Sequence, residues 1–214
     1  MDQTTTRAVV LARALPAAFE SACLVECVDT ARPQRPSPLR PVPRSGESLA
    51  EFDRAEAADR LAFLLTDLGC AAARETWSGG GRRRYQVQRV LVQETQRLAT
   101  GRMLESAWRQ GRQALLDSTS LGASSPRHAQ RLALAQAAWR AALLAAGQRR
   151  RRDLIWVTVR DQEIAAVLVR AARLLGATAM VTRRSGCVVV TVSADAADLL
   201  PATPPRLGLR AVAG

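Results

Sequence analysis

The stretch from residue 48 to residue 92 recurs, with the same order of features, from residue 154 to residue 192. Shifted by 107 positions (175 − 68), Glu56 falls on Glu163, Ala58 on Ala165 and Leu61 on Leu168. Leu68-Gly69 then falls on Leu175-Gly176, and Ala72 on Ala179. Both copies go on to a strand, a basic glycine turn and a second strand, TWSGGGRRRYQVQRV in one and VTRRSGCVVVTV in the other. A duplicated unit must bury the same apolar face twice. The economical solution is a pseudo-twofold arrangement in which two small sheets lie side by side behind their helices.

The local patterns fill in each copy. In the first, Ser48–Phe52 reads as a strand, and Asp53 is placed as N-cap of a helix over Arg54–Leu68 whose apolar face is Ala57, Leu61, Leu64, Leu65 and Leu68. Strands Ala71–Trp77 and Arg84–Val92 flank the turn Ser78–Arg83. The second copy reads as strand Leu154–Val159, helix Asp161–Leu175 and strands Ala177–Thr182 and Cys187–Val192.

Before the second copy lies an alanine-rich helix from Arg127. Leu132, Ala135, Trp139, Ala142, Leu143 and Ala146 share one face, and Ala138, Ala141 and Ala145 form a second, small row. Small side chains let two helices approach more closely than the usual separation of about 8–10 Å, so this helix is built to meet another. Gly147 is placed to end it.

Elsewhere the patterns are weaker. Residues 5–20 suggest a short helix disturbed at Pro16, and Ala22–Val28 a strand. Residues 31–47, with five prolines and four arginines, read as an exposed insert. Gln93–Leu98 looks helical, Met103–Leu116 carries a separate weak helical pattern, and Ser118–Ser125 is a polar connection. The expected class is therefore α+β: a first half over 1–100, a connector over 101–126, a second half over 127–200 and a tail over 201–214.

Composition narrows the partners. The net charge is +12, from 31 basic and 19 acidic residues, and every basic residue is arginine. Genome composition accounts for arginine in place of lysine, but not for the excess, which points to a polyanion and foremost to nucleic acid. Four scattered cysteines (Cys23, Cys27, Cys70, Cys187) and one histidine, His128, make neither a disulfide framework nor a zinc site. No apolar run is long enough for a membrane span. The N-terminus, with Asp2 and arginine within its apolar run, does not read as a secretion signal. A cytoplasmic protein without cofactor is expected.

The residues AQAAWRAALLAAG (Ala135–Gly147) and LIWVTVRDQEIAAVLVRAARLLGATAMVTRRSGCVVVTV (Leu154–Val192), with LAEFDRAEAADRLAFLLTDLG (Leu49–Gly69) and RYQVQRVLV (Arg84–Val92), resemble the LAGLIDADG homing-endonuclease fold. They resemble more narrowly the N-terminal domain of the actinobacterial sporulation regulators of the WhiA family. The resemblance implies duplicated αββαββ halves, a double-stranded DNA partner, and a role in transcription regulation linked to sporulation and cell division. A sigma factor or other regulator is the alternative partner, for a module working by protein contact alone. In the nucleases a metal-binding acid from each half precedes the motif's final glycine. Here that position is Ala146, and Glu20 is a forced match in the first half, so the resemblance implies a fold kept without the catalyst. WhiA proteins continue into a helix-turn-helix domain, for which a chain ending at Gly214 leaves no room.

The candidate DNA-contacting residues are arginines at turns and polar side chains on strands. Alternation along the strand puts Arg84, Gln86 and Gln88 on one face, suited to phosphates and base edges or else an ordinary solvent face. Arg82 and Arg83 occupy the first turn, and Arg183 and Arg184 the corresponding place in the second copy. Arg149, Arg150, Arg151 and Arg152 follow the alanine-rich helix, where they would meet phosphate or complement the helix dipole. If Ile155, Val157 and Val159 face the helices, Trp156, Thr158 and Arg160 face outward together, and Trp139 is expected to be core.

Overall fold

Leu68-Gly69 and Leu175-Gly176 end their helices in the same way, bond for bond. In a computed structural model that describes residues 3–31, 48–79, 85–117, 125–149, 154–193 and 196, Gly69 and Gly176 both have φ of 83°. Only a residue without Cβ takes up this left-handed conformation at little cost. Gly69 N donates to Thr66 O at 3.0 Å and Cys70 N to Leu65 O at 2.8 Å. In the second copy Gly176 N donates to Arg173 O at 3.1 Å and Ala177 N to Ala172 O at 2.9 Å. These bonds satisfy carbonyls that a helix end otherwise leaves unmet, and they turn each chain back onto its sheet.

The elements run α1 (Gln3–Ala31), β1 (Ser48–Phe52), α2 (Ala55–Asp67), β2 (Ala72–Gly79), β3 (Tyr85–Val92), α3 (Glu94–Leu116), α4 (Pro126–Ala145), β4 (Gly147–Arg149), β5 (Leu154–Val159), α5 (Gln162–Leu174), β6 (Ala179–Arg184) and β7 (Cys187–Ser193). β1-β3-β2 form one antiparallel sheet and β4-β5-β7-β6 the other. The duplicated α+β architecture expected from the repeat is present.

α1 and α4 are the central pair. Ser21, Ala22 and Cys23 of α1 and Ala137, Ala138, Ala141 and Ala142 of α4 are all buried, so small side chains line both helices. A shift of 120 residues (139 − 19) lays Phe19 on Trp139 and Glu20 on Arg140. Phe19 and Trp139 are both wholly buried. Trp139 Nε1 donates to Leu168 O of α5 at 3.0 Å, and Phe19 stacks on Trp108 of α3 at 5.9 Å. Glu20, 3% exposed, accepts from Arg60 Nε at 2.7 Å and Nη2 at 3.0 Å, and from Arg140 Nε at 3.1 Å. One buried carboxylate thus ties α1 to α2 and α4.

Several expectations are corrected. The short helix over 5–20 and the strand over Ala22–Val28 are one helix, α1, which runs through Pro16. An apolar run buried against neighbours has no period to tell strand from helix. Gln93–Leu98 and Met103–Leu116 likewise join in α3, because Gly101 lowers helix propensity without ending the helix. Asp53 is not the N-cap of α2. That position is Arg54, with no side-chain cap bond, whereas Asp161 does cap α5, accepting from Glu163 N at 2.7 Å. The short strand β4 was not foreseen. Positions 32–47 of the insert and the tail 201–214 lie outside the described residues.

Candidate nucleic-acid interface

Each sheet has one face on the helices and one turned away, and burial tells them apart. In the second sheet Val157, Val159, Val188, Val190 and Val192 are buried on the helical side. Alternation then sends Trp156, Thr158, Met180, Thr182, Arg184 and Thr191 to the opposite face. The register brings them together: Trp156 pairs with Thr191 and Thr191 with Met180, while Thr158 pairs with Val189 and Val189 with Thr182. Arg184 places its guanidinium over the Trp156 ring, 5.8 Å from the centroid. Three threonine hydroxyls, an indole and a guanidinium form a surface of donors, acceptors and one stacking plane. No Asp or Glu occurs in β4, β5, β6 or β7, so nothing within these strands repels a phosphate.

The first sheet differs. Ala50, Phe52, Val90 and Val92 are buried toward α2, which leaves Glu51, Glu75, Trp77 and Arg89 on the other face. Arg89 pairs in register with both Glu51 and Glu75. Its Nε lies 3.2 Å from Glu51 Oε1, and its guanidinium 4.8 Å from the Trp77 ring centroid. The same Arg–Trp chemistry occurs, but here the cation is already neutralised and a second carboxylate flanks it. Among the described residues, only the outer face of the second sheet is electrostatically open to a polyanion.

The sequence candidates separate accordingly. Gln88 is corrected: it is 7% exposed and turned to the helical side, accepting from Thr76 Oγ1 at 2.8 Å and Arg74 Nη1 at 3.5 Å. Alternation had divided the strand properly, but the polar set contains Val90 and Val92, whose burial decides which way it faces. Gln86 shares that side and is exposed at the strand's end. Arg183, exposed, shares the face of its partner Val188 rather than that of Arg184, and lines a groove beside α5. Trp156, half-buried, and Arg184, exposed, stand on the outer face, and half-buried Arg160 closes β5. Arg149 pairs with Ile155 at the sheet's edge. Arg82, Arg83, Arg84, Arg150, Arg151 and Arg152 lie outside the described residues. Thr182 and Thr191 were missed, although the period of two in VTVSA held the signal for Thr191.

The helix ends are the place where this architecture would hold divalent ions between two carboxylates. The shift that matches Phe19 with Trp139 lays Glu26 on Ala146. In this shift an acid corresponds to an alanine, and the forced match at Glu20 is resolved as the buried ion-pair residue. Arg54 donates from Nη1 to Leu143 O at 3.3 Å and Leu144 O at 3.5 Å, so a cation already sits on the last-turn carbonyls of α4. A single carboxylate and a resident guanidinium do not fit a pair of divalent ions. Among the described residues no cluster of three or more His, Cys, Asp or Glu is placed to hold a metal.

Two central helices, each followed by a small antiparallel sheet and flanking helices, define a LAGLIDADG-like fold. The chain is similar in structure to a variant of I-DmoI in complex with its target DNA and Mg, with TM-score 0.52 and 13% identity over 86% of this chain and 94% of that one. It is similar to I-DmoI in complex with DNA and Mn, with TM-score 0.50 and 13% identity over 84% and 92%. The N-terminal LAGLIDADG domain of WhiA gives TM-score 0.50 and 12% identity over 90% and 85%. No family model and no curated protein sequence matches the chain. Among the described residues no helix is long and apolar enough to cross a membrane.

Proposed function

We propose that this chain is a non-catalytic protein that binds double-stranded DNA on the outer face of its four-stranded sheet, and that it acts in transcriptional control of the WhiA kind, linked to sporulation and cell division. The observation that carries the reading is the acid-free outer face with Trp156, Arg184 and three threonines, in a chain of net charge +12. Hydroxyls and a guanidinium bond phosphate oxygens, and the twist of the sheet lets several do so along one backbone. Support for the architecture as a DNA platform comes from I-DmoI, solved in complex with its target DNA. The absence of catalysis rests on Ala146 and on Arg54 at the α4 terminus.

Fluorescence anisotropy of a labelled duplex across a salt series tests this. Affinity is expected to fall steeply with salt, by about 0.9 log unit per log unit of salt for each phosphate contacted. Arg184→Ser should flatten the slope by about one contact, and serine at Arg149, Arg150, Arg151 and Arg152 by up to about four. No binding at low salt refutes the DNA reading. Cleavage of the duplex on addition of Mg or Mn, copurifying with the protein, refutes the non-catalytic one.

A further inference from the structure

The helical side of the four-stranded sheet carries a second surface, unlike the first. Between α5 and the edge strand β6 runs an open groove of about 450 Å³. Its floor is apolar, made by Ala166 and Val169 of α5, Val181 and Val188 of the sheet and Leu116 at the end of α3. Val181 and Leu116 stay 47% and 41% exposed, although they lie on the inward face of a strand and at a helix end. Arg170, Arg173 and Arg183 border the floor. None of the three has an ion pair or hydrogen bond among the described residues, and Arg170 Nε is shielded from water without an acceptor. The nearby carboxylate of Glu163 is taken by Arg112 of α3.

We propose that this groove docks an acidic amphipathic helix of a partner protein. Ala166, Val169, Arg170 and Arg173 follow the i, i+3, i+4, i+7 spacing of a single helical stripe, with a small exposed residue at its start. Small and apolar at its centre and cationic at its flank, such a stripe accepts a second helix at close range. The apolar side chains of the incoming helix cover Val181 and Leu116. Its carboxylates meet the guanidinium forks of Arg170, Arg173 and Arg183, which bind a planar carboxylate through two parallel bonds. A phosphate backbone meets the same charge but has nothing to bury on the floor, which favours protein over nucleic acid here.

The test uses the whole chain and a fluorescein-labelled helical peptide of about 18 residues, five turns, with leucine on one face and glutamate on the other. A second peptide carries lysine at every glutamate. The glutamate peptide is expected to bind the native chain and the lysine peptide not to. In Arg170→Glu/Arg173→Glu the preference should reverse, with the glutamate peptide weakened at least about tenfold and the lysine peptide gained. A gain of binding cannot come from misfolding. Val181→Asp should weaken the glutamate peptide while leaving the lysine peptide excluded. Three results overturn the proposal: no binding of the glutamate peptide at about 1 mM, equal binding of both peptides, or displacement of the peptide by duplex DNA.

Discussion

Glu20 is the residue whose removal should most damage the join between the halves. It is 3% exposed and accepts three hydrogen bonds from two arginines that reach it from α2 and α4. Glu20→Ala leaves two guanidinium groups facing a gap that neither can fill. Breaking a buried pair by removing one partner costs roughly 3–5 kcal/mol. Arg60 and Arg140 keep 18% and 22% of their side chains exposed and can turn partly to water, which places the cost at the lower end, about 3 kcal/mol. For a chain of this length that lowers Tm by roughly 6–12 °C. Urea denaturation, followed by tryptophan fluorescence, measures it. In a double-mutant cycle the coupling of Glu20 to bidentate Arg60 should exceed that to Arg140, which gives one bond. Replacing all three residues by leucine should recover most of the loss, because no charge is then left unpaired. If the triple variant is no better than Glu20→Ala, the ion-pair account is wrong and side-chain volume is what matters.

Other perturbations read other parts of the fold. Gly111→Ala would drive a Cβ into steric clash with the edge of the Phe19 ring, which is wholly buried, so a loss of about 1–3 kcal/mol should outweigh the gain in helix propensity. Gly101→Ala, in the same helix with open space around it, should instead stabilise by up to about 1 kcal/mol, and thermal melts compare the two. Trp139→Phe removes the bond to Leu168 O and part of a buried ring, at a cost of about 1–3 kcal/mol in denaturant titrations. Burial, reinforced by Glu26, pushes the Cys27 thiol up to about 12. Burial, reinforced by Cys27, Glu20 and Glu26, raises Cys23 well above its ordinary value. Both should resist alkylation at pH 8 while half-buried Cys70 and Cys187 react. Thiols of the unfolded chain ionise near about 8.5, so above that pH the unfolded state binds fewer protons than the native one and stability falls toward pH 12. The chain has no lysine to obscure this loss, and Cys23→Ala/Cys27→Ala should remove it.

The sequence by itself determined the duplication, and with it the architecture. The 107-residue shift, the Leu-Gly ends and the two spacings of apolar residues are local facts, set by what one helix or one strand must bury. Trp139 as core is legible for the same reason. The facing of the first sheet was not, because alternation separates two faces of a strand without naming the inner one. Gln88 turns inward with Val90, and Arg183 shares the face of Val188 while staying exposed, both of which depend on where α2 and α5 lie. The pairing of Glu20 with Arg140, 120 positions away, and the seat of Arg54 on the carbonyls of α4 are likewise contacts between elements distant in the chain. Only the packing of α1 and α2 against α4 creates them, since long side chains find their partners in space and leave no period along the sequence.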